Sequence, residues 1–281
     1  MAWSSTGYVI TAARAAQWTT ACFAVGSAMH TECVIAGAQQ AGVPLIVQVA
    51  AESVDGGGAA GEVIPWWARQ CHELAAAASV PVALHLAAQP SRGLMRRAAE
   101  AGFSSIGLRS RDELAEREHA AIRRAAWWAH EHGLLMEGRF GQVGGSDGAK
   151  LGEYGRHTRM DPARAACFAA STEVDLLSFS AQPPRYTAPA HAAGLDFDAI
   201  AQLCDALPVP LALHDIAGVP EDQLSKGIRL GIVKLEVVPG AGSPYAHAVR
   251  TLLRGERRGA SVEPERAALT VAVAQLLAVM S

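Results

Sequence analysis

The chain has 281 residues, 50% of them hydrophobic and 18% charged, with a formal charge of -3 at pH 7. That length suits one large α/β domain with a well-buried core, and that composition excludes a disordered chain. The densest basic cluster, Arg254-Gly255-Glu256-Arg257-Arg258, is interrupted by glutamate, which argues against a nucleic-acid partner. No window approaches 18 uncharged apolar residues, so no membrane partner is expected. The opening MAWSSTGYVI lacks a basic region followed by an apolar run, which points to a cytoplasmic protein.

In chain order, apolar runs of strand length alternate with Ala-rich stretches of helical character. Cys22 to Val25 is a weak first strand, and Val43 to Val49 a clear second. Pro65 to Ala78 reads as helix, Val80 to Leu86 and Ser104 to Leu108 as strands, and Asp112 to His132 as helix. Then come strand Leu134 to Gly138, helix Pro162 to Ser171, strand Val174 to Ser180 and helix Asp196 to Ala206. Strands Val209 to His214 and Ile232 to Val238 complete the series. Asp161-Pro162 is a helix start signal, a capping acid followed by proline at the first helical position. Eight such repeats predict a single-domain (β/α)8 TIM barrel over residues 1–281 rather than an open sheet, and no GxGxxG follows the first strand. Any site should then sit on the loops at the C-terminal ends of the strands.

The order of motifs resembles the class II, zinc-dependent fructose-bisphosphate and tagatose-bisphosphate aldolases. Phe23-Ala24-Val25 is similar to that family's AFNV, Pro44 to Val49 to its SPVILQVS, Val80 to Leu86 to its VPVALHLDHG, and Ala101 to Leu108 to its AGFTSVMIDGS. Met136 to Gly145 resembles VEAELGTLGG, Pro210 to Val219 resembles PLVLHGGSGV, and Gly231 to Val237 resembles GICKINV. The resemblance runs from about Gly7 to Ser281 and implies the barrel and aldol-type chemistry. It also implies a catalytic aspartate and zinc, and there this chain departs. Ala87 and Ala88 match the family's aspartate and first zinc histidine, Arg139 matches its zinc glutamate, and a further histidine position falls near Arg185. His214 alone matches a donor. Arginine and alanine give zinc nothing to bind, so no metal and no other cofactor is expected.

Side chains two apart on a strand share a face, which groups His85 with Ala87, Glu137 with Arg139 and Lys234 with Glu236. The expected catalytic set is His214, Arg139, Glu137, Glu236 and Lys234; the expected substrate-binding set is Arg109, Arg185, His85, Asp215 and Gln48. Arg139, with Arg109 and Arg185, suits bidentate capture of a carboxylate or similar anion. His214 suits general acid or base work, or it is a structural histidine donating to Asp215 or backbone. Glu137, Lys234 and Glu236 are either site residues or core ion pairs. Lys234 is the one lysine on an expected strand, as a Schiff-base enzyme would require.

The expected partner is a small anionic substrate. The leading expectation is a metal-independent aldolase-like enzyme. Alternatives are a pseudoenzyme that binds without turnover and a zinc enzyme with ligands relocated to His85, Glu137, His214 and Glu236. Family habit and the apolar tail Ala267 to Met280 suggest a homodimer or homotetramer. Five scattered cysteines read as reduced core thiols. The pairs Trp66-Trp67 and Trp127-Trp128 each read as one ring packed and one near the surface. Residues 144–148 read as a loop able to close over the barrel mouth, and residues 240–243 as a Gly-rich turn able to present amides to an anion.

Overall fold

A computed structural model of the protein describes residues 3–50, 60–88, 91–109, 116–142, 161–181, 194–239, 244–258 and 261–280. Eight parallel strands pair in sequence order and close on themselves: β1 (Thr20–Ala24), β2 (Leu45–Ala50), β3 (Val82–Ala88), β4 (Ser105–Arg109), β5 (Leu135–Gln142), β6 (Leu176–Ser180), β7 (Leu211–His214) and β8 (Ile232–Val237). This is the expected (β/α)8 TIM barrel, with strand limits moved by one to four residues. The helices of the outer layer, among the described residues, are α2 (Ala28–Ala41), α3 (Ala60–Ala76), α4 (Arg92–Glu100), α5 (Glu116–Glu131), α6 (Pro162–Thr172), α7 (Phe197–Ala206), α8 (Glu221–Leu230), α9 (Pro244–Arg258) and α10 (Glu263–Met280). α6 begins as the sequence signals: the Asp161 carboxylate accepts from the amides of Ala163 and Arg164, with Pro162 in the first turn. Pro65 lies inside α3 rather than at its start.

A further helix, α1 (Thr6–Ala16), precedes the barrel and closes its lower end. Ser5 caps it by accepting from the Tyr8 amide. Its apolar side chains Val9 and Ile10 pack with Cys22, Ile46, Ala83, Leu176, Ala212 and Val233 from the strands. Outward-facing strand residues such as Val47, Leu84, Ile106, Phe179 and Leu235 form the larger core beneath the helices. The two cores follow from strand alternation, one face inside the barrel and one against the helices.

At the end of the chain, α10 returns to α2. Leu269, Val273, Leu277 and Met280 are its buried face, and Gly37 of α2 lets Val273 approach so closely that a Cβ there would lie 2.6 Å from Val273 Cγ1. The apolar tail thus has a partner within its own chain, and Val271 is its exposed large apolar residue. Trp67 is buried while Trp66 is 41% exposed; Trp128 packs on the core while Trp127 is 61% exposed. Cys22, Cys33 and Cys71 are buried free thiols, Cys204 is half-buried, and Cys167 is exposed, which departs from the expected core position. Residues 144–148 and 240–243 lie outside the described residues.

Candidate active site

The interior of the barrel is polar above the α1 plug. Strand alternation turns Glu137 and Arg139 of β5 inward, and Lys234 and Glu236 of β8 likewise. The two strands carry opposite charge orders, acid then base on β5 and base then acid on β8. Lys234 Nζ donates to Glu137 Oε2, and Arg139 Nη2 donates to Glu236 Oε2. Two ion pairs, one above the other, therefore tie β5 to β8. Gln48 Nε2 donates to the other oxygen of Glu236 at 2.8 Å, and Cys22 Sγ lies 3.5 Å from Gln48 Oε1.

Glu137, Lys234 and Arg139 are largely taken out of water, yet the opposite charges around them keep them ionised. Burial alone would raise the Glu137 carboxyl, but Lys234, His85 and Arg139 outweigh it and hold it at about 2. Burial likewise opposes the charges on Lys234 and Arg139, and the acidic groups around each raise its affinity for the proton. A Schiff-base lysine needs a depressed pKa; Lys234 is shifted the other way. Cys22 is pushed by burial to about 12 and stays a thiol.

His85 is fully buried one layer below Ala87. Its Nδ1 shares a hydrogen with Ser105 Oγ at 2.8 Å, and Ser105 Oγ meets Thr6 Oγ1 of α1 at 2.7 Å. Burial first, then Lys234, drives the imidazole down to about 3, so it is neutral. Its Nε2 is 3.9 Å from Glu137 Oε2, too far for a hydrogen bond. Gly107 makes room for the ring: a Cβ there would lie 2.7 Å from His85 Nε2.

His214 closes β7 at the barrel mouth. Its Nδ1 pairs with the buried Ser178 Oγ at 2.8 Å, and its Nε2 lies 3.7 Å from Asp215 Oδ2. Asp215 sits just past the strand with a left-handed backbone, φ 54°, a conformation that costs most residues about 1–2 kcal/mol and that aspartate tolerates better than most. Ser180 Oγ donates to the same Asp215 oxygen at 3.0 Å, and the Asp215 side chain is 38% exposed. Arg109, the last residue of β4, is the register partner of Arg139 within β5. Of the ten expected site residues, nine thus belong to the barrel strands or to the residue after β7. Arg185 lies outside the described residues, and Arg109 is placed by its register alone.

The zinc that the resemblance implies does not fit these residues. At the strand tips Ala87 and Arg139 stand where donors are needed, leaving His214, whereas zinc takes three or four N, S or O ligands. The relocated set does not converge either: Glu137 is held by Lys234, Glu236 by Arg139 and Gln48, His85 by Ser105 and His214 by Ser178. Among the described residues no group of three or more His, Cys, Asp or Glu side chains could hold a metal ion.

Two features escaped the sequence reading. Ser105, Ser178 and Ser180 orient His85, His214 and Asp215, and their placement on inward strand positions was the available signal. The backbone of Asp215 had none beyond its position after the last strand residue of β7.

Residues 4–281 match the family model described as fructose-bisphosphate aldolase class-II. The chain is 26% identical over 239 residues to a 6-phospho-5-dehydro-2-deoxy-D-gluconate aldolase of Bacillus velezensis, covering 84% of this chain and 80% of that one. It is 28% identical over 177 residues to a fructose-bisphosphate aldolase of Streptococcus pneumoniae, covering 63% of this chain and 59% of the other. Among solved structures, the YdjI aldolase from Escherichia coli K12 superposes with a TM-score of 0.78 at 20% identity, over 99% of this chain and 97% of that one. The barrel, its plugged lower end and a family match spanning nearly every residue agree, whatever has become of the metal ligands: this chain belongs to the class-II fructose-bisphosphate aldolase family.

Proposed function

We propose that the protein is a metal-independent enzyme of this family, cleaving or forming a carbon–carbon bond beside the carbonyl of a small anionic metabolite. The observation that carries this reading is the exchange of donors at the strand tips: a guanidinium, Arg139, and the methyl of Ala87 stand where the resembling family needs a metal ligand and a carboxylate. Ala87 and Ala88 alone would fit decay of a site, but at Arg139 charge has been brought in and is balanced by Glu236. The adjacent arginine positions on β4 and β5 favour an anion, and His214, fixed through Nδ1 by Ser178, supplies a proton-transfer group at the mouth. The Bacillus relative is named for a β-hydroxy ketone with a carboxylate at one end and a phosphate at the other, and a substrate of that class suits these groups. No helix among the described residues is long and apolar enough to cross a membrane.

The test is turnover of 6-phospho-5-dehydro-2-deoxy-D-gluconate, of its unphosphorylated form and of fructose bisphosphate, read by coupled reduction of the aldehyde released. Cleavage of at least one gluconate and none of fructose bisphosphate is expected. A second reading, a ligand-binding protein without turnover, is favoured by the mutual pairing of Arg139 with Glu236 and Lys234 with Glu137. Binding of these compounds by calorimetry with no turnover at stoichiometric protein would select it.

A further inference from the structure

We infer that Asp215 is the acid–base carboxylate of this site, taking over at the end of β7 the work for which Ala87 leaves nothing at the end of β3. The inference rests on the lyase reading above. Four observations converge on Asp215. Its backbone is left-handed at φ 54°, so the chain carries an acidic side chain at a position where glycine would be free of strain, and such outliers gather at functional sites. Ser180 Oγ donates to Oδ2 at 3.0 Å, fixing the direction of the carboxylate. The same oxygen lies 3.7 Å from His214 Nε2, whose ring is held from the other side by Ser178. The side chain is 38% exposed, open to a substrate in a way that Glu137, at 1%, and Glu236, at 6%, are not. Its charge also reaches Arg139, though less strongly than those of Glu236 and Glu137.

The pair can run a cleavage with no net change in itself. The Asp215 carboxylate accepts the proton of the hydroxyl on the carbon β to the ketone, and the O–H electrons become the carbonyl of the departing aldehyde. The electron pair of the broken C–C bond passes to the ketone half, whose oxygen takes up the negative charge within the field of Arg139. The carbon left behind accepts a proton from the His214 imidazolium. Asp215 then returns its proton to His214, and both groups are as they began. No oxidant, reductant or second substrate is required.

The experiment compares wild type with Asp215→Gly and Asp215→Asn on whichever of the two gluconates the wild type cleaves. Glycine relaxes the left-handed backbone while removing the carboxylate; asparagine keeps the shape and the backbone habit. Both variants should melt at or above the wild-type temperature. Each should lose about 100-fold or more in kcat, the range of a removed acid–base group, with KM changed by less than about threefold. Added formate should restore part of the turnover of Asp215→Gly, because a small carboxylate can enter the space, which a merely structural loss would not allow. A fall in kcat below about tenfold in Asp215→Gly, or a slowed Asp215→Gly that formate leaves unchanged, overturns the inference alone. An inert wild type removes the lyase reading and this inference together.

Discussion

Lys234 and Glu137, each 1% exposed, show how the interior tolerates charge. Removing one member of such a pair leaves the other buried and unpaired, a loss of about 3–5 kcal/mol, whereas replacing both with apolar side chains is often neutral. Lys234→Met is therefore expected to lower stability by that amount in urea melts, and Lys234→Met with Glu137→Leu to recover most of it. A double variant no more stable than the single would show that the pair is not the local unit. The buried imidazoles give a second expectation. Burial lowers His30 to about 4, and burial with Lys234 lowers His85 to about 3, against the ordinary 6.5. Their folded pKa values lie below the unfolded ones, so the unfolded chain binds more protons as the pH falls beneath about 6.5. Stability is full above that pH and declines between about 6.5 and the folded values, by up to about 1.4 kcal/mol per unit for each ring. Glu137, held at about 2 by Lys234 against burial, adds a loss below about 4.3. Urea midpoints at pH 7, 5.5 and 4.5 should fall in that order, and His30→Gln should flatten the first part of the slope.

Among the elements, α1 has the most concentrated structural role. Thr6 reaches Ser104 and Ser105, and Val9 and Ile10 fill the lower end of the barrel. Ile10, 4% exposed, has no other face to turn to, and Ile10→Ala is expected to cost about 2–5 kcal/mol, measured by chemical denaturation. A loss under about 1 kcal/mol would mean that the plug is peripheral. The strands were legible in the sequence because each is a short apolar run bounded by turns, as at Val80 to Leu86, and their two-residue period gave the inward faces of β5 and β8. The partners of those faces were not legible. Alternation tells which way Glu137 points, while the closure of eight staggered strands decides that it meets Lys234 and that Arg139 meets Glu236. α1 was missed because nothing in TGYVITAARAA announces the open barrel end that its apolar face must cover. The left-handed turn at Asp215 follows from how β7 leaves the barrel, which residue type alone does not encode.

At the scale of the whole molecule, the barrel interior holds, among the described residues, the pairs Arg139–Glu236 and Lys234–Glu137, neutral in sum. Those two pairs leave no charge deficit for a divalent cation to fill, and among the described residues no group of three or more His, Cys, Asp or Glu side chains could hold one. The family's barrel persists, and the function proposed above has fixed protein charge stand in for the metal. The most direct test is elemental analysis of the purified protein together with turnover of the responsive gluconate before and after exhaustive chelation. Far less than one zinc per chain is expected, with melting temperature and kcat unchanged by the chelator. Stoichiometric zinc, lost in step with activity and restored with it, would show that the enzyme depends on a metal after all.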